Sequence, residues 1–255
     1  MNHILYIITR SDTIGGAHIH VRDMSLYSLK KGFKVSVIVG GNGLYIDHLM
    51  KLGITVYSIK ELKREINLLN DLKVLPSIYN LIKKLSPNVI SIHSSKVGIM
   101  IRTLKIFTNL PPCIFTAHGW SFAANVSPLR NFIYLSLERI MSFGTSILIT
   151  ICKSDYNLAL QNRLIAKKKI RLIYNGMPFL EETKREIKAI DYKYKLISVA
   201  RFENQKDHKT LVKALSLIKN FSWELFLVGD GPLKKEIEKL VKYYQMEDRI
   251  FFLGM

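Results

Sequence analysis

Residues 195–217, KLISVARFENQKDHKTLVKALSL, decide how the fold of this chain is interpreted. The first part, Leu196 to Ala200, is apolar and rich in β-branched residues, which predicts a strand covered on both faces of a parallel sheet. The last part repeats apolar residues at helical spacing and predicts an amphipathic helix. The loop between them carries Arg201 and Lys206, two cations beside a helix amino terminus, and this arrangement can receive an anion such as a diphosphate. A solvated loop with two ordinary surface cations is the alternative at this point.

The rest of the chain repeats this order of elements. Short runs rich in Ile and Val alternate with helical patterns, which predicts an α/β fold with a doubly wound, Rossmann-like parallel sheet. A charged segment without a clear apolar face, residues 179–194, is predicted to link two domains. The prediction is therefore an N-terminal Rossmann-like domain at 1–178 and a shorter, second Rossmann-like domain at 195–255.

The composition is that of a globular protein that can bury one large core or two modest ones, because 48% of the 255 residues are hydrophobic. Cys113 and Cys152 are too few for a disulfide framework and lack metal-ligand spacing. Both lie in or beside apolar runs, so we expect buried thiols in a reducing cytoplasm. The apolar N-terminal run has the length of a strand, and no apolar stretch is long enough to span a bilayer. The expected location is the cytoplasm, at most peripheral on the inner face of the plasma membrane.

The formal net charge of +18 favours anionic partners. Nucleic acid, acidic lipid and phosphorylated substrates all fit a field of this sign. A nucleic-acid binder is the weaker hypothesis, because the chain lacks zinc-ligand spacing, a recognition-helix pattern and a basic sheet with interleaved aromatic residues. Lysines on solvated helix faces would give the same charge without any specific partner.

Several loops follow predicted strands, where the ligand crevice of a doubly wound sheet lies. Gly15 and Gly16 stand between the first strand and a helix, where backbone amides can approach a ligand. His118 ends the strand CIFTAH, and Asn175 ends the last strand before the linker. Each has a structural alternative, which is a tight turn for the glycines and for Asn175, and a structural imidazole for His118.

In the second domain, Gly229 and Gly231 follow the second strand and allow a close approach of backbone to a ligand. These glycine loops are not a nicotinamide fingerprint. The first loop of the chain lacks the required later glycine, and no acidic residue clearly ends the second strand, so an oxidoreductase is disfavoured.

Six motifs together resemble the retaining glycosyltransferases of family 4, in that family's order and over essentially the whole chain. They are Gly15–Gly16, TAHGW at 116–120, IYNGM at 173–177, VARFENQKDHKTLVKAL from 199, LVGDGPLKKEIEKL from 227 and DRIFFLG from 248. The resemblance implies the GT-B architecture of two Rossmann-like domains that face each other across a cleft. It also implies transfer of a hexosyl-type sugar, with retention, from a nucleoside-diphosphate sugar to a lipid-linked or polysaccharide acceptor in cell-surface polysaccharide biosynthesis.

The resemblance implies roles for single residues as well. Arg201 and Lys206 match the pair that holds the diphosphate of the donor and stabilises it as it leaves. Gly16 matches the backbone contact opposite this pair, and His118 matches the histidine beside the transferred sugar. The less specific matches to the donor-binding loops are Gly15, Asn175, Gly229, Gly231 and Gly254, the last of which falls near the start of the nucleoside pocket.

The implied chemistry needs no metal and no cofactor besides the donor, because preorganised cations and helix amides stabilise a leaving diphosphate. The family continues past the last motif with a segment that carries two glutamates beside the donor site, and this chain ends before it. We therefore keep two further hypotheses: a catalytically inactive truncated remnant, and one half of a split glycosyltransferase. The second domain is then expected to leave an apolar edge and to be weakly held.

Overall fold

A computed structural model describes residues 1–63, 65, 67–123, 127–177 and 194–254. The chain divides into two compact units, Met1–Leu180 and Glu181–Met255. The predicted linker at 179–194 lies, except for Tyr194, outside the described residues, so the domain boundaries stay a prediction. No helix among the described residues combines the length and the apolar character needed to cross a bilayer.

The first unit is a parallel sheet of seven strands in the order β3-β2-β1-β4-β5-β6-β7, with helices between consecutive strands. The strands are β1 (His3–Ile8), β2 (Lys34–Gly40), β3 (Thr55–Ile59), β4 (Val89–Ile92), β5 (Cys113–Ala117), β6 (Ile147–Thr150) and β7 (Ile170–Leu172). The helices are α1 (Gly16–Lys30), α2 (Leu44–Lys51), α3 (Leu68–Leu85), α4 (Ser95–Phe107), α5 (Pro128–Met141) and α6 (Lys153–Gln161).

Strand β1 shows why this sheet is covered on both faces. Leu5 and Ile7 belong to one buried apolar cluster, whereas Tyr6 and Ile8 belong to another. Alternate side chains of a strand point to opposite faces, so a nearly continuous apolar run requires cover on both sides. The sequence prediction of a doubly wound, Rossmann-like sheet is confirmed.

The strand order fixes where a ligand crevice can form. The chain runs from β1 outward through β2 and β3, and then returns to β4 on the other side of β1. The connections that follow β1 and β4 therefore lead in opposite directions, which opens a crevice at the carboxyl ends of these two strands.

The second unit is smaller and has a parallel sheet of three strands in the order β10-β9-β8. Central strand β9 alternates buried and half-buried residues, and Trp223, Leu225 and Leu227 lie in the core with Val212 of α7. The elements are β8 (Tyr194–Val199), α7 (His208–Ser216), β9 (Trp223–Val228), α8 (Lys234–Tyr243) and β10 (Ile250–Gly254).

The leading strand of the second unit departs from the prediction. Strand β8 forms where the sequence places it, but Ile197 is 69% exposed and Val199 is 73% exposed. The prediction of cover on both faces is therefore wrong for the described residues. The physical reason is that, among the described residues, α7 and α8 pack on the face of Leu225 and leave the face of Ile197 and Val199 without a helix. Strand β8 is also at the edge of its sheet and pairs with β9 alone among the described strands.

Candidate functional site

Three histidines meet at the carboxyl edge of the first sheet. His93 directly follows β4, His118 directly follows β5, and His20 lies on α1, the helix that follows β1. His93 Nδ1 is 3.1 Å from His118 Nε2. The centroids of the three rings are 5.2 to 5.4 Å apart, and one nitrogen from each ring can be chosen so that all lie within 4.8 Å of one another. We call His20, His93 and His118 the histidine cluster.

Burial keeps the histidine cluster neutral at physiological pH. Desolvation, followed by the neighbouring imidazoles, lowers the pKa of His118 to about 4 and the pKa of His93 well below 6.5. Desolvation also lowers the pKa of His20, and Asp23 partly opposes this effect. A neutral imidazole offers one donor and one acceptor, which suits it to contact a sugar hydroxyl.

A cavity of about 410 Å³ opens beside this cluster. Thr9 and Arg10 of the loop after β1 line it, together with His93 and Ser94 of the loop after β4. The remaining wall combines apolar side chains such as Phe122 with polar ones such as Lys96, and the volume is within the range of small-molecule sites. The crevice that the strand order predicts is therefore present in the first unit.

Gly15 and Gly16 lie at the amino terminus of α1, as the sequence predicts. Gly15 is the N-cap residue, and its N–H donates to Nδ1 of His18 at 3.3 Å. Gly16 is the first helical residue, and no atom beyond its chain neighbours and helix backbone lies within 4 Å of the Cβ that it lacks. The helix end is thus open to a ligand at Gly16, while the amide of Gly15 already has a partner inside the loop.

Asn175 is not brought to the histidine cluster. It is an exposed residue after β7, the outermost strand of the sheet, and β5 and β6 separate that strand from β4. The other sequence-predicted residues, apart from His118 and the first two glycines, belong to the second unit.

Backbone hydrogen bonds tie the loops of the second unit together at the carboxyl edge of its sheet. Phe202 N–H donates to the carbonyl of Asp230 at 3.1 Å, and Leu233 N–H donates to the carbonyl of Phe202 at 3.1 Å. Gly229 N–H donates to the carbonyl of Gly254 at 2.7 Å. The loops that follow β8 and β9 are therefore held against the carboxyl end of β10. These loops and this strand end carry Arg201, Lys206, Gly229, Gly231 and Gly254.

Gly229 and Gly231 have a structural reason to be glycine. Their φ angles are 144° and 156°, and a Cβ at Gly229 would collide with the carbonyl oxygen of Ala200. A Cβ at Gly231 would lie 2.7 Å from the carbonyl oxygen of Phe202. The close approach that the sequence indicates is thus made to the neighbouring loop of the same chain, whether or not a ligand also approaches.

Arg201 and Lys206 are both exposed in the loop that follows β8. Nη1 of Arg201 is 2.8 Å from Oε1 of Glu203, and half of the Arg201 side chain is open to solvent. Lys206 ends a short 3₁₀ turn, Asn204–Lys206, immediately before Asp207, the N-cap residue of α7. Lys206 therefore lies beside a helix amino terminus, where the helix dipole adds to its attraction for an anion, and Arg201 lies earlier in the same loop.

Two members of the histidine cluster were not predicted as site residues from the sequence. His93 follows a predicted strand in the same way as His118, so its position was a usable signal. His20 gives no such signal, because it lies inside a helix and reaches the cluster through the packing of α1 beside β1.

Comparisons with known proteins decide the family. The model of Glycosyltransferase Family 4 matches residues 14–178, and the model of Glycosyl transferases group 1 matches residues 180–255. The chain belongs to glycosyltransferase family 4. The resemblance found in the sequence motifs is confirmed, and glycosyl transfer is the activity class of this family member.

Similar proteins include bacterial glycosyltransferases of surface polysaccharides. The chain is 26% identical over 257 residues to the O-antigen biosynthesis glycosyltransferase WbnH of Escherichia coli, which covers all of this chain and 70% of that protein. It is 28% identical over 169 residues to the E. coli UDP-Gal:alpha-D-GlcNAc-diphosphoundecaprenol alpha-1,3-galactosyltransferase, covering 66% of this chain and 43% of that protein.

Solved structures show the same fold. Anabaena HepE in complex with UDP and glucose has a TM-score of 0.78 at 16% identity, covering 98% of this chain and 68% of HepE. Sucrose-phosphate synthase from Thermosynechococcus elongatus has a TM-score of 0.78 at 17% identity, covering 100% of this chain and 71% of the synthase. The GT-B fold class predicted from the motifs is confirmed.

Proposed function

We propose that this family member transfers a sugar, with retention, from a nucleoside-diphosphate sugar to a lipid-linked or saccharide acceptor in cell-surface polysaccharide biosynthesis. The observation that carries the proposal is the loop after β8 in the second unit, where Arg201 and Lys206 are both exposed and Lys206 directly precedes the N-cap residue of α7. Relatives named for O-antigen synthesis and for transfer to a diphosphoundecaprenol-linked sugar support the acceptor class.

Arg201 and Lys206 are proposed to bind the donor diphosphate. Negative charge grows on the diphosphate as the sugar leaves, and two fixed cations with a helix amino terminus stabilise it without a metal. The Arg201–Glu203 pair is half exposed and contributes about 0–1 kcal/mol. A diphosphate carries more negative charge than one carboxylate and can accept two parallel hydrogen bonds from the guanidinium, so it can take Arg201 from Glu203.

His118 is proposed to contact the sugar that the donor transfers. Its lowered pKa leaves a neutral ring, and because Nε2 lies 3.1 Å from His93 Nδ1, Nδ1 of His118 is the nitrogen proposed to hydrogen-bond a sugar hydroxyl. Neutrality also matters for the donor, because an imidazolium would form an ion pair with phosphate oxygens in place of a hydrogen bond with the sugar. The proposal assigns no nucleophilic side chain and no metal to the reaction.

The apolar face of α5 is proposed to dock on an anionic membrane that carries the acceptor, at the inner face of the plasma membrane. Leu129, Phe132, Ile133 and Ile140 recur at helical spacing and are 69%, 66%, 45% and 52% exposed. Exposed Arg130 and Arg139 fall on opposite flanks of this face. An apolar helix face with flanking arginines, on a chain with a net charge of +18, complements the surface of an acidic bilayer.

Transfer is tested with the full chain, a panel of uridine and guanosine diphosphate sugars, and a synthetic lipid-diphosphate-linked sugar as acceptor. We expect acceptor-dependent release of the nucleoside diphosphate with one donor, and a product whose anomeric configuration, read by NMR, matches that donor. A folded protein that releases no diphosphate with any donor would overturn the proposal in favour of an inactive remnant or half of a split enzyme.

Membrane docking is tested by flotation with vesicles of phosphatidylethanolamine and phosphatidylglycerol. We expect the chain to float with these vesicles, and the double variant F132S/I133S to lose most of this binding. The matched control L217S/F221S removes two exposed apolar side chains from the second unit and should bind as the wild type does. Equal binding by the two double variants would contradict the assignment of α5.

A further inference from the structure

We propose that the histidine cluster is a binding site for a transition-metal ion of the Zn²⁺ class, with His20, His93 and His118 each supplying one ring nitrogen. The ligand type fits this class, because imidazole nitrogens suit zinc, copper, iron and nickel rather than magnesium or calcium. Three protein ligands with a fourth position open to water or substrate is the arrangement of non-structural zinc sites.

The spacing of the rings agrees with such an ion. A zinc–nitrogen distance of about 2.0–2.1 Å puts two ligand nitrogens about 3.3 Å apart at tetrahedral geometry, and puts the ring centroids about 5.2 Å apart. In the protein, His93 Nδ1 and His118 Nε2 are 3.1 Å apart. The three centroid distances are 5.2, 5.3 and 5.4 Å, so the rings already stand in a nearly equilateral triangle of the required size.

The partners of His93 select the nitrogen that faces the ion. Nε2 of His93 is 2.8 Å from Oγ of Ser91, and Nδ1 is 3.1 Å from Nε2 of His118. When Nε2 is protonated and donates a hydrogen bond to Ser91 Oγ, Nδ1 has a free lone pair directed into the cluster, toward His118. Hydrogen bonds of this kind orient metal-binding imidazoles, and their loss costs about 10- to 100-fold in metal affinity.

His20 is the adaptable ligand. It is only half buried, and no hydrogen bond from another described residue holds its ring nitrogens, whereas His93 is 2% exposed and fixed by Ser91. The three nitrogens lie within 4.8 Å of one another, so a small rotation of the His20 side chain completes the coordination. His18, on the same helix, is not a ligand because Gly15 N–H and the Arg10 carbonyl occupy its two nitrogens.

The site has a consequence for transfer that rests on the proposed function. An ion on Nε2 of His118 places a positive charge beside the proposed sugar contact, where the sugar itself gains positive charge as the diphosphate leaves, so zinc is an inhibitor of the proposed reaction. Binding of the ion is measured without donor or acceptor, and the site can therefore fail or succeed independently of glycosyl transfer.

The test is calorimetric titration of the full chain with ZnCl₂, together with Co²⁺ absorption in the visible range. We expect one high-affinity ion per chain and the strong bands of tetrahedral Co²⁺. His20→Gln, which leaves the two more buried rings in place, should weaken zinc binding about 100-fold and abolish those bands. His48→Gln changes a histidine outside the cluster and should behave as the wild type.

A second arm measures zinc inhibition of transfer, reversed by a chelator, with wild type inhibited at much lower zinc concentration than His20→Gln. Absence of stoichiometric binding to folded wild type would overturn the site. Equal zinc affinity, or equal sensitivity of transfer, in wild type and His20→Gln would overturn it as well.

Discussion

Lys206 is placed by the residue that follows it. Asp207 has a φ of 48°, and its side chain accepts from Thr210 N–H at 3.3 Å, which fixes the turn to the start of α7. We predict that Lys206→Ala lowers kcat/KM for the donor about 10- to 100-fold, because a charge-assisted contact of about 1.5–3 kcal/mol is lost. Lys213→Ala removes another exposed lysine, from α7 itself, and steady-state kinetics should show less than about a twofold change. Equal losses in the two variants would contradict the role of Lys206.

The two cysteines differ in accessibility. Cys113 is fully buried at the start of β5, and desolvation raises the pKa of its thiol to about 11. Cys152 is half buried and its sulfur accepts from Asp155 N–H at the start of α6. We predict that iodoacetamide at about pH 8 labels Cys152 and leaves Cys113 unmodified in the native protein, because alkylation requires an accessible thiolate. Peptide mass spectrometry gives the result, and a denatured sample labelled at both cysteines is the control.

At the scale of elements, one buried ion pair joins α4 to α5. Nη1 of Arg102 is 2.8 Å from Oε2 of Glu138, with side-chain exposures of 2% and 12%, and the guanidinium lies 4.0 Å from the ring centre of Phe115. We predict that Glu138→Ala lowers the free energy of unfolding of the first unit by about 3–5 kcal/mol, because it leaves a buried cation without its partner. Urea denaturation measures this loss.

The control for that prediction is Asp12→Ala. This variant removes the ion pair between Arg10 and Asp12, whose carboxylate side chain is 65% exposed. The free energy of unfolding should fall by no more than about 1 kcal/mol. If Glu138→Ala were as mild as Asp12→Ala, the pair would not be what holds α5 against α4.

His3 connects β1 to two neighbouring elements. Its Nδ1 is 3.0 Å from the carbonyl of Leu85 at the end of α3, and its Nε2 is 3.0 Å from Ser36 Oγ on β2. Burial lowers the pKa of His3 below its ordinary 6.5, and the Leu85 carbonyl partly opposes this effect. The unfolded state therefore binds the proton more readily, so the stability is present above pH 6.5 and is lost as the pH falls below it.

We predict accordingly that the unfolding temperature of the first unit falls more steeply between about pH 7 and about pH 5 in wild type than in His3→Gln. Differential scanning calorimetry at matched ionic strength measures both slopes. Parallel slopes would show that His3 does not contribute to the acid sensitivity of this unit.

The elements that the sequence predicts best are those with long, uniform patterns. The apolar runs of β1 and β5 predict buried strands. The run of β5 alone is enough to place His118 at the carboxyl end of a strand. The association of His118 with His93 depends on β4 lying beside β5, and that adjacency is a property of strand order that local patterns do not contain. The prediction of cover over β8 fails for a related reason: an apolar strand can be recognised from its residues, but whether helices pack on both faces of its sheet cannot.

At the scale of the whole molecule, two sheets of unequal size differ in how their apolar residues are covered. The seven-stranded sheet carries two buried clusters, whereas the three-stranded sheet has one core and an exposed leading strand. A net charge of +18 opposes close contact between copies of the chain, and an exposed apolar edge favours it. Added salt therefore favours association of copies, because it screens the charge repulsion between them and leaves the attraction of apolar surface in place.

Strand β8 is where this competition should be seen. Ile197 and Val199 are more than two-thirds exposed, and one side of the strand pairs with no other described strand. We predict that the chain self-associates as salt rises, and that Ile197→Lys reduces the associated fraction several-fold, because a charge on an edge strand blocks strand-to-strand pairing. Asn220→Lys adds the same charge at an exposed position outside the strands and should leave association unchanged. Light scattering over a salt series distinguishes the two variants, and an equal effect of both lysines would mean that total charge, rather than the edge of β8, controls association.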